Sequence, residues 1–422
     1  MVGRIVRRWL LVAAMVVSCL PGAAFAASSE VDILLDKLVE KGVLTNVEAG
    51  LIRREIAETK ETRNKELAKE IVPDSARNWK WKGDIRLRDE IRNRVGTGND
   101  NHRQRIRFRY GVEAKVNDEL KVTARIATGS TTDPISTNQS FDTFFTKKTI
   151  VLDLANLEYS PTIPWFSKTQ LVGGIMENPM WTVTPMVWDA DLSWDGAAIK
   201  LTKDIGPVTL FTNNGVFALD TDETEAASLW VTQGGVAVTP FPDMEDEIFK
   251  NLKMTAALAY HDYVNTSTSA KAGTDPLTRE ADNINASDFN QLNPSVELSS
   301  KVAGYPVSFF GDWVHNTAVR GHTNDNGFAV GMKLGKATVP WSLKNGWEGG
   351  YFFERLEQDA AFDEFVDSDF GGGGTNRRGN VWWLTLATLK NSTVGAKFFT
   401  SEQIKGAKAG EDRIQLDWIT KF

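Results

Sequence analysis

The chain has 422 residues, 41% hydrophobic and 24% charged, with 34 Gly, 14 Trp and 22 Phe, which is too apolar for a wholly disordered polymer. Mean hydropathy is −0.28 and the long apolar run lies at the extreme N-terminus, so a bundle of membrane helices is excluded. A formal charge of −7 argues against general nucleic-acid binding, and a lone cysteine, Cys19, excludes an internal disulfide, a thiolate metal cage or covalently attached haem. No cofactor is expected, and any electron carrier would have to be a partner.

Residues 1–26 read as a secretory signal peptide: Arg4, Arg7 and Arg8, the apolar run Trp9 to Leu20, then Ala24-Phe25-Ala26 with cleavage expected after Ala26. The mature chain would carry 45 basic against 55 acidic residues. Val16-Val17-Ser18-Cys19 also fits a lipoprotein box, which would leave Cys19 lipidated. Residues 27–77 form a helical head, expected in the periplasm. Leu34, Leu35, Leu38 and Val39 recur at helical spacing, Gly42 is a C-cap, and Thr45 to Glu48 is a capping box opening a second helix. That helix becomes almost wholly charged between Glu58 and Glu70, with Glu61 and Lys65 at i,i+4 spacing, and Pro73 ends it. The head is either a solvated spacer or a small coiled coil that joins subunits or meets a periplasmic partner.

From Trp79 the period changes to two and stays there. Trp79, Trp81, Ile85, Leu87 and Ile91 alternate with Lys80, Lys82, Arg86, Arg88 and Arg92. Ile106, Phe108, Tyr110 and Val112 alternate with Arg105, Arg107, Arg109 and Glu113. About sixteen such segments follow one another, the later ones centred near Val122, Leu152, Val172, Ile199, Leu210, Val236, Ala257, Val296, Phe309, Val330, Tyr351, Leu384, Ala396 and Leu416. Short connections (Asn117 to Glu119, Asp204 to Gly206, Ala303 to Gly304, Asn391) alternate with long polar ones (Gly129 to Lys147, Glu177 to Ser193, Asn265 to Asp288, Gln358 to Gly379). Short turns on one rim and long loops on the other indicate an all-β fold: a transmembrane antiparallel β-barrel over residues 78–422 in a Gram-negative outer membrane.

A soluble sandwich or propeller could alternate too, but a packed interior cannot hold so charged a face, whereas a water-filled lumen can. Trp79, Trp81, Tyr159, Trp165, Tyr305 and Trp341 gather at segment ends, as an interfacial girdle requires. The chain closes on the alternating run Ile414 to Phe422, which resembles the signal read by the barrel assembly machinery.

Leu34 to Thr45, Gly173 to Trp181 with Thr184 to Leu192, and Val366 to Asn376 together resemble the Putative porin family of Gram-negative outer membranes: helical head, strand end with third external loop, and late external loop. Leu154 to Pro161 adds an intervening strand. Met180 stands where Phe is usual, and Ser193-Trp194-Asp195-Gly196 where Asn-Pro-Glu-Gly is common. The resemblance implies a sixteen-stranded, trimeric, water-filled channel for small solutes, whose third loop folds inward.

If the charged face points inward, Arg86, Arg88, Arg92, Arg103, Arg105, Arg107, Arg109 and Arg125, with Lys80, Lys82 and Lys121, form one wall. Closure adds Arg413 and Lys421. Such a wall stays charged at any physiological pH and attracts anions. The third loop supplies Glu177, Asp189, Asp191 and Asp195, so the expected constriction has Arg86, Arg88, Arg105 and Arg107 facing Asp189 and Asp191, a transverse field that orients polar solutes. Alternatively the arginines pair with Asp84, Glu90, Glu113 and loop acids, leaving a rigid wall of little net selectivity. Asp363, Glu364, Asp367 and Asp369 form either a calcium-binding run or a flexible glycine-rich loop. His102, His261, His315 and His322 are scattered without a Ser/His/acid signature, so no enzyme is expected; His261 and His315 are assigned to the polar girdle. The leading function is passive diffusion of small hydrophilic solutes and ions. Its rivals are a solute-specific channel, for example for oxyanions or a carboxylate, a structural barrel serving an electron-transfer or adhesion partner, and a hydrophobic-solute transporter, which the charged head disfavours.

Overall fold

The computed structural model describes residues 30–71, 78–95, 100–142, 144–221, 226–266, 289–319, 323–406 and 409–422, so the signal peptide, Cys19 and His322 lie outside it. The chain divides between Arg77 and Asn78 into two compact units.

In the first unit α1 (Glu30–Glu40) ends at Gly42, whose φ of +69° lets its amide reach Val39 O at 3.0 Å. α2 (Asn46–Ile71) opens on a reciprocal capping box: Thr45 N donates to Glu48 Oε2 at 2.8 Å, and Glu48 N to Thr45 Oγ1 at 3.2 Å. Leu35 and Ala49 are buried, while Leu34, Val43, Val47 and Leu51 are exposed.

The second unit is one antiparallel sheet of strands β1 (Trp79–Val95), β2 (Asn101–Lys115), β3 (Leu120–Thr128), β4 (Gln139–Ser140), β5 (Ile150–Tyr159), β6 (Lys168–Glu177), β7 (Ser193–Ile205), β8 (Val208–Asp220), β9 (Ala227–Val238), β10 (Lys253–Val264), β11 (Phe289–Val302), β12 (Tyr305–Asn316), β13 (Asn326–Ala337), β14 (Gly346–Leu356), β15 (Arg377–Leu389), β16 (Ser392–Gln403) and β17 (Gly410–Lys421). β1 pairs with β17 from Asp84 opposite Lys421 to Val95 opposite Gly410, which closes the sheet and leaves no free edge. Sixteen strands make the barrel wall, and the two-residue β4 lies inside a loop, paired with Arg105 and Ile106 of β2.

Each expected strand centre falls within a wall strand. One rim carries short turns, among them Ala303-Gly304, whose φ values of +53° and +81° are those of a type I′ hairpin. On the same rim the β9–β10 connection holds a single-turn helix, α3 (Glu247–Lys250), capped by Asp246. The opposite rim carries the long loops.

The alternation resolves into an outer apolar and an inner polar surface. On β1, Leu87 is 42% exposed on the outside and Arg88 3% exposed on the inside. A fold that turns Leu258, Val296, Phe309, Val330, Leu384 and Trp418 outward is stable in hydrocarbon and not in water. No described helix is long and apolar enough to cross a membrane; the strands do so. The Leu87→Arg variant puts a guanidinium on the outer face, and an unfolding titration in lipid vesicles is expected to show a loss of about 2–4 kcal/mol.

Candidate pore constriction

Closing the barrel sets like charges side by side. Arg86 stands opposite Arg107 and Arg88 opposite Arg105 across β1 and β2, and Arg92 opposite Arg413 across β1 and β17. Facing guanidiniums repel unless carboxylates are interleaved. Asp84 takes Arg107 at 2.9 Å and Arg109 at 2.8 Å, Glu90 takes Arg103 at 2.6 Å, Asp417 holds Arg88 through two bonds of 2.7 and 2.9 Å, and Glu411 holds Arg92 at 2.9 Å, Arg94 at 3.0 Å and Arg413 at 2.7 Å. Asp417 and Glu411 are inward positions of the last strand, and its alternation of Glu411, Arg413, Gln415 and Asp417 was the signal that could have found them.

Three external loops fold onto this wall. The 129–149 loop brings Asn138 Oδ1 to 2.6 Å from Arg86 Nη2 and Ser136 Oγ to 3.1 Å from Arg105 Nη2. The 178–192 loop brings Asp191 to 3.3 Å from Arg107 and 3.9 Å from Arg86, and Thr137 Oγ1 donates to Asp191 at 2.9 Å. The 357–376 loop places Asp369 3.0 Å from Arg88 and 3.2 Å from Arg413.

Of the expected facing pairs, Asp191 meets Arg107 and Arg86. Asp189 meets neither; it accepts from Asp191 N at 2.7 Å and Ser368 N at 2.8 Å and so stitches two loops together, while its own amide donates to Phe365 O at 2.8 Å. Arg88 and Arg105 face the late loop and the 129–149 loop instead. Asp195 sits in β7 opposite Ile175, on the outward-pointing row. Arg125, on β3, pairs with Asp153 and with Glu177 at 2.6 Å and lines a separate cavity of about 420 Å3 with Lys82, Lys121, Lys200, Glu113 and Glu158. Arg86 and Arg105 differ from their neighbours: a carboxylate lies no nearer to Arg86 than 3.9 Å, and the Nε of each is buried without a hydrogen-bond partner among the described residues.

An apolar cluster fixes the loops. Trp188 packs on Trp194 with ring centroids 4.4 Å apart, edge-on to His261 at 5.1 Å, and parallel to Phe365 at 6.0 Å. Tyr263, Phe289 and Phe362 extend it, and Met180 joins it, so two of the departures from the family strings, Met180 and Trp194, lie in its core. The girdle role expected for His261 is thereby corrected: it shares the inward row of Thr255, Ala257, Ala259 and Tyr263 and is buried under Trp188. His315, stacked on Trp313 at 5.7 Å, belongs to the outer face.

The loop carboxyls sit in opposed environments. Burial raises Asp191, but Arg107 and Arg86 outweigh it and hold the carboxyl below its usual range. Asp369 is likewise held well below that range by Arg88 and Arg413 despite burial. Burial, reinforced by Asp369, pushes Asp367 up to about 6, and burial with Asp367 and Asp191 beside it raises Asp189 well above normal. Among the described residues no group of three or more His, Cys, Asp or Glu is arranged to hold a metal ion.

Solved outer-membrane barrels share this architecture. OprB of Pseudomonas putida superposes with a TM-score of 0.54 at 12% identity, over 82% of this chain and 94% of that one. OmpF of Salmonella typhi, solved in complex with daunomycin, gives 0.50 at 8% identity, over 83% of this chain and 99% of that one. No curated protein sequence matches significantly. The fold is thus that of a porin-type β-barrel. Residues 91–301 and 286–422 match the family described as Putative porin; the chain belongs to that family and is a channel of the outer membrane.

Proposed function

We propose that the barrel is a passive diffusion channel for small hydrophilic solutes and ions, that its constriction is the arginine wall of β1, β2 and β17 faced by the three inserted loops, and that it favours anions. One observation carries the anion preference: Arg86 and Arg105 are held by Asn138 and Ser136, neutral groups, where the neighbouring guanidiniums each have a close carboxylate. The local field at the narrowest point is therefore positive on the wall and negative at Asp191, a transverse arrangement that favours anions and orients polar solutes. Arg88, Arg92, Arg103, Arg107 and Arg109 shape the wall through their pairs, and Arg125 with Lys82, Lys121 and Lys200 forms a charged vestibule beyond it. Purified protein in a planar bilayer is expected to give discrete, ohmic current steps; correctly folded protein that gives none contradicts the channel reading.

β1 begins at the short-turn rim, the periplasmic side in barrels of this kind, which supports a periplasmic head. Export by residues 1–26, assembly through the terminal Phe422 and a homotrimeric state complete the proposal. Phe422 supports it by its position: it stacks near Tyr110 at 6.2 Å and exchanges backbone hydrogen bonds with Gly83, at the seam where the sheet closes.

The late loop also predicts a pH response. Asp367, faced by Asp369, Asp189 and Glu354 and by the cations Lys397 and Arg413, binds its proton more tightly in the inserted loop than in a released one. The inserted arrangement therefore gains stability as pH falls through about 6 toward the ordinary carboxyl value. Single-channel current is expected to fall between pH 7 and pH 5, and Asp367→Asn to show a low current already at pH 7 with a weaker pH dependence.

A further inference from the structure

Asp369 enters the arginine wall as an incoming carboxylate would. Its oxygens lie 3.0 and 3.2 Å from Arg88 Nη1, 3.2 Å from Arg413 Nη1 and 2.8 Å from Gln415 Nε2. Two guanidiniums and an amide are the donor set that holds a carboxylate without intervening water. The three donors are also held by the wall itself: Arg88 by Asp417 at 2.7 and 2.9 Å, Arg413 by Glu411 at 2.7 and 2.9 Å, and Gln415 by Glu90 at 2.9 Å. The wall therefore orients these donors independently of Asp369, as a preformed site requires.

The occupant is carried on a loop that a glycine run turns back toward the wall. Directly after Phe370, Gly371 to Gly374 take φ values of +62°, +92°, +86° and +80°, a run open to glycine and strained for other residues. Val366 and Phe370 on either side of Asp369 are buried in the apolar cluster, so Asp369 leaves Arg88 and Arg413 by rotation of its own side chain while the loop stays seated.

We propose that Arg88, Arg413 and Gln415 form a binding site for small organic carboxylates in the lumen wall, and that Asp369 is its tethered resident, an internal competitor that a carboxylate solute displaces on passage. This rests on the anion-conducting reading above and names the solute class it serves. A tethered carboxylate acts at millimolar or higher effective concentration, so free solutes bind weakly, as transit requires. The Asp369 side chain then acts as a gate that yields to the channel's own substrates.

Succinate is the probe, with chloride as the inorganic control at equal ionic strength. In planar bilayers the half-saturating succinate concentration for the change in channel current is expected to fall by about fivefold or more in Asp369→Asn, and to remain near wild type in Asp369→Glu. In a second arm independent of that variant, Ser368→Cys in the otherwise native chain is labelled with a charged maleimide, and saturating succinate is expected to raise the labelling rate severalfold while chloride does not. An unchanged half-saturating concentration in Asp369→Asn overturns the proposal, as does a labelling rate indifferent to succinate. If those failures accompany an anion-selective wild-type reversal potential, the tethered-competitor site alone falls. If the wild type shows no anion preference, the reading beneath it falls too.

Discussion

Trp188→Ala is expected to raise single-channel conductance by roughly twofold or more, because it removes the ring around which two inserted loops are packed. The cluster of Trp188, Trp194, Tyr263 and Phe365 is an apolar core inside a water-filled barrel, and truncating a fully packed Trp costs about 3–5 kcal/mol. That cost falls on the loops and not on the wall, whose strands pair through backbone hydrogen bonds. Global unfolding, followed by loss of strand signal, should therefore change far less than loop mobility, followed by protease cleavage within residues 357–376. Unchanged conductance with unchanged cleavage would mean that the loops are held by the polar contacts of Asp189, Asp191 and Asp369 alone.

The second large effect falls on the wall. Glu411 is buried and shared by Arg92, Arg94 and Arg413. Glu411→Ala leaves Arg92 without its ion pair and weakens Arg413, and removing one partner of a buried pair costs about 3 kcal/mol or more. The change should appear as a lower urea midpoint in vesicles, with Glu411→Gln intermediate because the amide oxygen still accepts one bond. Arg94, only half-buried at the rim, tolerates loss of the same contact; Arg94→Ala is expected to leave the midpoint within about 1 kcal/mol of wild type.

The barrel was legible in the sequence because its physics is local. Ile85, Leu87 and Ile91 against Arg86, Arg88 and Arg92 fix both the period and the sense of the faces, and a charged inner face requires a wet lumen. Strand β4 was not legible: two residues have no period, and Gln139 and Ser140 are strand only because Arg105 and Ile106 lie beside them. The proposed constriction was half legible. The arginine rows announced themselves, as did Asp191, but Asp369 reaches Arg88 across 281 positions, and nothing local in Val366 to Asn376 distinguishes a carboxylate seated on guanidinium from an acidic, glycine-rich loop at the surface. His261 was misread for a different reason. Its inward parity with Ala257, Ala259 and Tyr263 was visible, yet the burial that decides its role comes from Trp188, which folds back from another loop.

The central claim is that the wall around Arg86 and Arg105 carries net positive charge and selects anions. The measurement that tests it most directly is the reversal potential under a roughly tenfold KCl gradient, for the wild type and for the Arg86→Ala/Arg105→Ala double variant. The account predicts a potential of the sign set by chloride in the wild type, moved toward zero in the variant. A wild-type potential at zero or of the cation sign, or one that the double variant leaves in place, would contradict it and return the arginine wall to the role of a self-neutralised scaffold.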